Sequence, residues 1–425
     1  MLNKLKVKEG NFIKNTITLI TGTVIAQLIP VLIQPIIKRL YTAEDFGVLD
    51  IYLKIIGILF VIFTFKYDLG IVLPKNKVKA LLLLNLSIIF ALFFSFIIML
   101  VIIFFSDDIL ILLKIPEKYK AILYILPIST LFFSLYNAFN YLLIREKKFK
   151  ASSINKINRR AIEGGAQTGL FFLNNGIGLF IGNLLGNIVY FFSAYWQSFK
   201  KFKIDKRLFK YNLLKHIAKE YSDLPKYNIF PELLNVAFLS AVSFIILTKF
   251  DIQEVGFMEL TQRILAIPSA FIAYSLGQVL LQKTSNMVSH KQKILPSIKK
   301  VFYYVFILSI PFALIILLFA ESIFKFVFGN IWEISGTYSK YLILFYISGF
   351  IVSPLSQVLI SLKEFKINAI WKIGRFIIIF PLFFINFKNI ELYLLSFSAI
   401  GTISYMVYLW IIFYYAKKFD NSLNV

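Results

Sequence analysis

The chain has 425 residues, 59% hydrophobic and only 16% charged, with a net charge of +24 and 47 phenylalanines. A soluble domain of this length needs more polar surface to cover itself, and a mean hydropathy of +0.77 excludes that class. There is no cysteine, which excludes disulfides and thiol chemistry, and the only histidines, His216 and His290, fall in charged loops, so no histidine-based metal site is expected.

The apolar residues come in long blocks, the pattern of helices that satisfy their own backbone in hydrocarbon. A membrane β-barrel needs short alternating segments, which are missing. The expected fold is all-α, a polytopic membrane bundle of about twelve transmembrane helices. The first six spans are predicted at Ile13–Lys38, Phe46–Phe65, Ala80–Phe105, Ala121–Ile144, Ser153–Leu173 and Gly178–Phe199. The second six are Tyr227–Leu247, Val255–Leu281, Ile298–Ala320, Tyr338–Leu362, Ile367–Phe387 and Leu392–Tyr415. The first block is too long and too poorly flanked for a cleaved signal peptide.

Lysine and arginine collect on one side of this map. They crowd the N-terminal tail (Lys4, Lys6, Lys8), Lys75–Lys79, Arg145–Lys150, Lys200–Lys226, Lys283–Lys300, Lys363–Lys366 and Lys417–Lys418. The alternate connections, around Thr42, Asp107, Asn175, Asp251, Gly329 and Lys388, are short and poor in them. By the positive-inside rule both termini are cytoplasmic. The basic residues lie in gaps between spans and no soluble basic domain carries them, so a nucleic-acid partner is not expected.

The longest basic stretch, 200–226, is read as a cytoplasmic linker between an N-terminal six-helix lobe (1–199) and a C-terminal one (227–425). Two marks repeat across it. Asp45-Phe46-Gly47 matches Glu254-Val255-Gly256, followed at equal offsets by Asp50 or Glu259 and by Lys54 or Arg263. Lys148-Phe149-Lys150 with Lys156 and Arg159 matches Glu364-Phe365-Lys366 with Lys372 and Arg375. Six is an even number of crossings, so the repeat is parallel and pseudo-symmetric, and such transporters place the substrate path between the halves.

Ionisable groups inside spans are functional candidates because each costs several kcal/mol unless paired or wet. Asp50 and Lys54, like Glu259 and Arg263, are four apart and share a helix face. They read either as self-neutralised pairs or as a basic lining for an anionic substrate, with Gln27 and Gln34 on one face of the first helix beside Pro30 and Pro35. Lys156, Arg159, Arg160, Glu163, Lys372 and Arg375 open the fifth and eleventh spans. They read as helix starts meeting anionic headgroups or as a cytoplasmic entry for a pyrophosphate, Glu163 pairing with Arg159 at a spacing of four. Further prolines, Pro127, Pro268, Pro311, Pro354 and Pro381, can bend their spans. Gly178, Gly182 and Gly186 predict close helix packing.

At these residues the chain resembles a known family. Arg39-Leu40-Tyr41 through Glu44-Asp45-Phe46-Gly47 is similar to the signature that closes the first helix of polysaccharide repeat-unit flippases. Leu224-Pro225-Lys226-Tyr227-Asn228 is similar to their entry to the seventh helix, and Val255-Gly256 through Arg263 to Pro268 to their eighth. Phe328-Gly329-Asn330-Ile331-Trp332 is similar to the loop before the tenth. These marks come in the family's order over nearly the whole chain. The family belongs to the multidrug/oligosaccharidyl-lipid/polysaccharide exporter superfamily.

The resemblance implies two six-helix lobes around a central cavity with alternating access in the cell (inner) membrane. The implied substrate is an O-antigen or capsule-type oligosaccharide on undecaprenyl pyrophosphate, flipped to the outer leaflet for surface polysaccharide or lipopolysaccharide biosynthesis. Lys54 and Arg263 fit its basic cavity lining. The implied partners are the lipid-linked oligosaccharide and membrane lipids, with polymerase and chain-length proteins as pathway candidates. No cofactor or metal is expected, and coupling to a proton or sodium gradient stays open. A cation antiporter of the same superfamily is the rival reading. A membrane polymerase is disfavoured by the short outer loops, so the chain is expected not to be an enzyme.

Overall fold

The computed structural model describes residues 25–173, 176–199 and 209–423. The start of the first predicted span at Ile13, the N-terminal lysines and the first part of the 200–226 linker lie outside the described residues. Among the described residues the secondary structure is helical, with no strand. The chain divides into two compact units, Met1–Thr248 and Lys249–Val425.

In the first unit, α1 covers residues 25–40. It is followed by α2 (Ala43–Phe63), α3 (Lys77–Leu112), α4 (Lys120–Arg145), α5 (Phe149–Gly169), α6 (Ile177–Phe199), α7 (Tyr211–Glu220) and α8 (Asp223–Lys249). In the second come α9 (Ile252–Leu265), α10 (Tyr274–Ser289), α11 (Leu295–Phe328), α12 (Glu333–Leu355), α13 (Gln357–Ser361), α14 (Phe365–Ile379) and α15 (Ile390–Ser422). Among the described residues, eight helical segments are long and apolar enough to cross a membrane: α2, α3, α4, α6, α8, α11, α12 with α13, and α15. The chain is a multi-pass membrane protein.

The other predicted spans are present as helices with identifiable departures. α5 carries Lys156, Arg159, Arg160 and Glu163 within its length, and α14 is only 15 residues long. The eighth span is not one rod. After Leu265 the helix breaks at Ala266 and Pro268, passes through a π turn over Ser269–Ala273, and resumes as α10. Proline removes one backbone bond and clashes with the preceding turn, which accounts for the break. The basic linker also differs from expectation. Its stretch Tyr211–Glu220 folds as amphipathic α7, which buries Leu214 and Ile217 against α3, and Lys79 reaches Glu220 at 2.5 Å. His216 therefore sits on a helix and not in a loop.

Helix starts are fixed by side chains. Thr42 and Asp45 form a reciprocal capping box at α2, and Asp251 accepts from the amides of Gln253 and Glu254 at α9. Each satisfies orphan N–H groups of a first turn. Between α2 and α3 the chain makes a buried 3-10 turn in which Thr64 Oγ1 donates to Asp68 at 2.7 Å. Burial pushes the Asp68 carboxyl above the usual carboxylate range, against the pull of Thr64 and Lys66.

The same helix pairings recur in both units. α4 packs on α2, α3 and α6, and α6 packs on α5; α12 packs on α9, α11 and α15, and α15 on α14. These are spans two to six and eight to twelve in the same order, so the repeat read from the charged marks is also a repeat of packing.

Candidate functional site

The charged pairs, midway along α2 and in the last turns of α9, form as their spacing requires. Lys54 Nζ lies 3.8 Å from Asp50, and Arg263 pairs with Glu259. Both carboxylates are buried, whereas a quarter of the Lys54 side chain and a third of Arg263 stay exposed. Asp50 has a further partner that the sequence did not reveal: Ser243 Oγ of α8 donates to it at 2.5 Å. This contact ties the seventh span to the second. Lys54 is thus held loosely, by a carboxylate already engaged elsewhere. A base in that position keeps donors for an incoming anion, because an ammonium offers three and a guanidinium five.

A second duplicated feature lies at the mouths of these helices. Tyr119 Oη, just before α4, donates to Asp45 Oδ1 at 2.7 Å, and Tyr338 Oη of α12 donates to Glu254. Asp45 and Glu254 are the acids of the repeated acid-apolar-Gly mark. Sequence reasoning found the acids and missed the tyrosines, whose only signal is that each stands near the start of its half's fourth span. The approach around Asp45 is tight. Gly176, at φ +66, would place a Cβ 2.0 Å from Asp45 Oδ1, so only glycine fits there.

On α5, Glu163 is the hub of a buried polar chain. Arg160 pairs with it at 2.8 Å, Asn183 Nδ2 donates to it at 2.8 Å, Ser129 Oγ donates to Asn183 at 3.0 Å, and Asn187 Nδ2 donates to Ser129 at 2.8 Å. The expected pairing partner was Arg159. Its guanidinium instead lies over the rings of Phe133 and Tyr190, 4.9 and 5.2 Å from their centroids. Spacings of three and four put both arginines within reach of Glu163, and the aromatic faces of α4 and α6 select Arg159.

Arg375 occupies the equivalent place in the second unit. It lies over Phe345, Trp371 and Tyr405, and donates to Tyr405 Oη at 3.1 Å. Lys156 is half-buried and Lys372 exposed. Gln34 is buried with its carbonyl oxygen lacking a partner, while Gln27 is exposed. The two glutamines of α1 therefore do not share an environment. Lys38, on the same helix, is buried with its ammonium 3.3 Å from the Phe46 centroid. The loop mark Phe328-Gly329-Asn330-Ile331-Trp332 is a turn at Gly329, φ 111, that buries Trp332 edge-on against Phe257.

Helices of this length, with ion pairs buried within them and a doubled packing order, define a polytopic helical membrane protein. Solved structures share the fold. An inward-facing multidrug resistance MATE family transporter of the MOP superfamily matches with a TM-score of 0.72 at 15% identity, covering 96% of this chain and 99% of the other. The lipid II flippase MurJ, in an inward closed conformation, matches at 0.66 and 18% identity, covering 97% and 90%. A MOP superfamily transporter from Pyrococcus furiosus, described as having a binding pocket of reverse polarity, matches at 0.57 and 14%, covering 98% and 96%. No curated protein matches the chain by sequence. A family model described as polysaccharide biosynthesis protein matches residues 36–336, and the chain belongs to that family.

Proposed function

We propose that the protein is a flippase carrying undecaprenyl-pyrophosphate-linked oligosaccharide repeat units from the inner to the outer leaflet of the cell membrane. It works by alternating access in a surface-polysaccharide pathway, with both termini cytoplasmic and no chemical step of its own. The observation that carries this reading is membership of a polysaccharide biosynthesis family in a chain folded as a membrane transporter. The duplicated, part-exposed bases Lys54 and Arg263 support an anionic substrate. They would hold the pyrophosphate while the sugars cross in water and the lipid tail stays in hydrocarbon.

The cation-antiporter reading asks for carboxylates available to a cation or proton. The deep carboxylates found here are engaged: Asp50 by Lys54 and Ser243, Glu163 by Arg160 and Asn183, Glu259 by Arg263. That distribution favours an anionic cargo. The test is the double substitution Lys54→Gln with Arg263→Gln. Surface polysaccharide is expected to disappear while the protein still inserts and melts as the wild type does, and normal export in the double variant would overturn the role of these bases.

A further inference from the structure

The two units depart from their repeat at the pairing of the fifth and sixth spans with each other. In the first unit α5 and α6 touch through glycines. A Cβ at Gly182 would meet the backbone nitrogen of Gln167 at 2.9 Å, and one at Gly178 the carbonyl oxygen of Leu170 at 2.5 Å. Stepping back by four from Tyr190, which faces Arg159, gives Gly186, Gly182 and Gly178. The same steps from Tyr405, which faces Arg375, give Gly401, Phe397 and Tyr393. Two glycines have become rings, and these pack on Phe345 and Phe387 at 5.0 and 5.4 Å. The charge pattern changes as well. Four residues after Arg159 stands Glu163, whereas four after Arg375 stands Ile379, and α14 contains no acidic residue.

Between α14 and α15 lies a cavity of about 650 Å³. Its walls are graded. Ile378, Ile400 and Ile403 line one end, Arg375 and Ser404 the middle, and Trp410 and Tyr414 with Ile367 and Ile411 the other end. Along α14 it runs from Ile367 to Ile378, roughly 16 Å at helical rise and so about half of a ~30 Å hydrocarbon core. The aromatic end lies beside the basic residues Lys363, Lys366, Lys417 and Lys418. Ile403, Trp410 and Ile378 are 63%, 66% and 53% exposed, so the groove faces outward from the unit.

We infer that this groove docks the lipid end of the substrate as it leaves the inner leaflet. The polyprenyl chain lies against Ile378, Ile400 and Ile403, its phosphates meet Arg375, and its polar head points to the aromatic and basic rim. This assignment rests on the flippase reading. The chemistry of each part matches its wall. Branched aliphatic residues suit an isoprenoid chain. The guanidinium fork suits phosphate oxygens. Trp and Tyr at a membrane interface border polar heads. An inner-leaflet lipid is selected because the groove occupies the half of the hydrocarbon next to the basic loops.

The test uses the full chain in phosphatidylethanolamine–phosphatidylglycerol vesicles and two photoreactive probes, a diazirine polyprenyl pyrophosphate and a diazirine phosphatidylglycerol. The polyprenyl probe is expected to label peptides of α14 and α15. Labelling should fall about tenfold in Arg375→Gln and in Ile403→Trp, recover in part in Arg375→Lys, and stay unchanged in Lys388→Gln. Labelling outside these helices, or insensitive to both groove variants, overturns the assignment, as does equal labelling by the phosphatidylglycerol probe. Flipping measured in the same vesicles separates the two readings. Wild-type flipping without groove labelling removes the groove alone, and groove labelling by the polyprenyl probe without flipping removes the flippase reading.

Discussion

Glu163 shows what one buried carboxylate does in this protein and how far its partner could be read in advance. The sequence placed it deep in α5 with two bases at reach, and an ion pair was the correct expectation. Its partner was misassigned because spacings of three and four are equivalent on a helix face, and the choice was made by Phe133 and Tyr190 on other helices. Long-range partners of this kind, like Ser243 on Asp50 and Tyr119 on Asp45, have no local signature. Replacing Glu163 with Leu leaves Asn183 and Arg160 without their acceptor, at a cost of about 1–3 kcal/mol. Arg160→Gln should cost about 0–1 kcal/mol, because the Arg160 side chain is 40% exposed. Melting of the purified variants in one detergent checks the order, and equal losses would contradict the network.

At the scale of elements, hydropathy located the long helices well because lipid-soluble helices need long apolar runs, and α2, α3, α4, α6, α11 and α15 all show them. It failed where that requirement is relaxed. The break near Pro268 turned a single predicted span into α9, a π turn and α10, and the basic linker hid amphipathic α7 because its apolar stripe is only Leu214 and Ile217 within a charged stretch. The glycine stripe of α6 was legible, since small residues at intervals of four have one common use, close packing. That packing gives a sharp contrast. Gly182→Ala drives a Cβ to 2.5 Å from Gln167 Cγ and 3.0 Å from the Glu163 carbonyl, and should destabilise by about 1–3 kcal/mol. Gly374→Ala has nothing within 4 Å and should stabilise α14 by about 0.5–1 kcal/mol. Thermal midpoints moving in the same direction would contradict the difference between the two helix pairs.

For the whole molecule, the doubled charged marks were the most informative feature of the sequence, because they coincide with doubled packing: Asp45 with Tyr119 and Glu254 with Tyr338, Arg159 with Tyr190 and Arg375 with Tyr405. The groove in the second unit was not legible. It is lined by residues of two helices, Arg375 and Ile378 on one and Ile400 and Ile403 on the other, whose register has no local signature. The proposed cargo rests on membership of a polysaccharide biosynthesis family, and in that proposal the bases Lys54 and Arg263 are where it is held. The central claim is therefore transport of a lipid pyrophosphate between leaflets. Its most direct measurement is the rate at which undecaprenyl-pyrophosphate oligosaccharide, loaded into one leaflet of vesicles holding the purified protein, becomes accessible to a glycosidase acting on the other. Rapid exposure is expected with the wild type and a protein-free rate with the Lys54→Gln, Arg263→Gln variant; a protein-free rate with the wild type itself would contradict lipid transport by this protein.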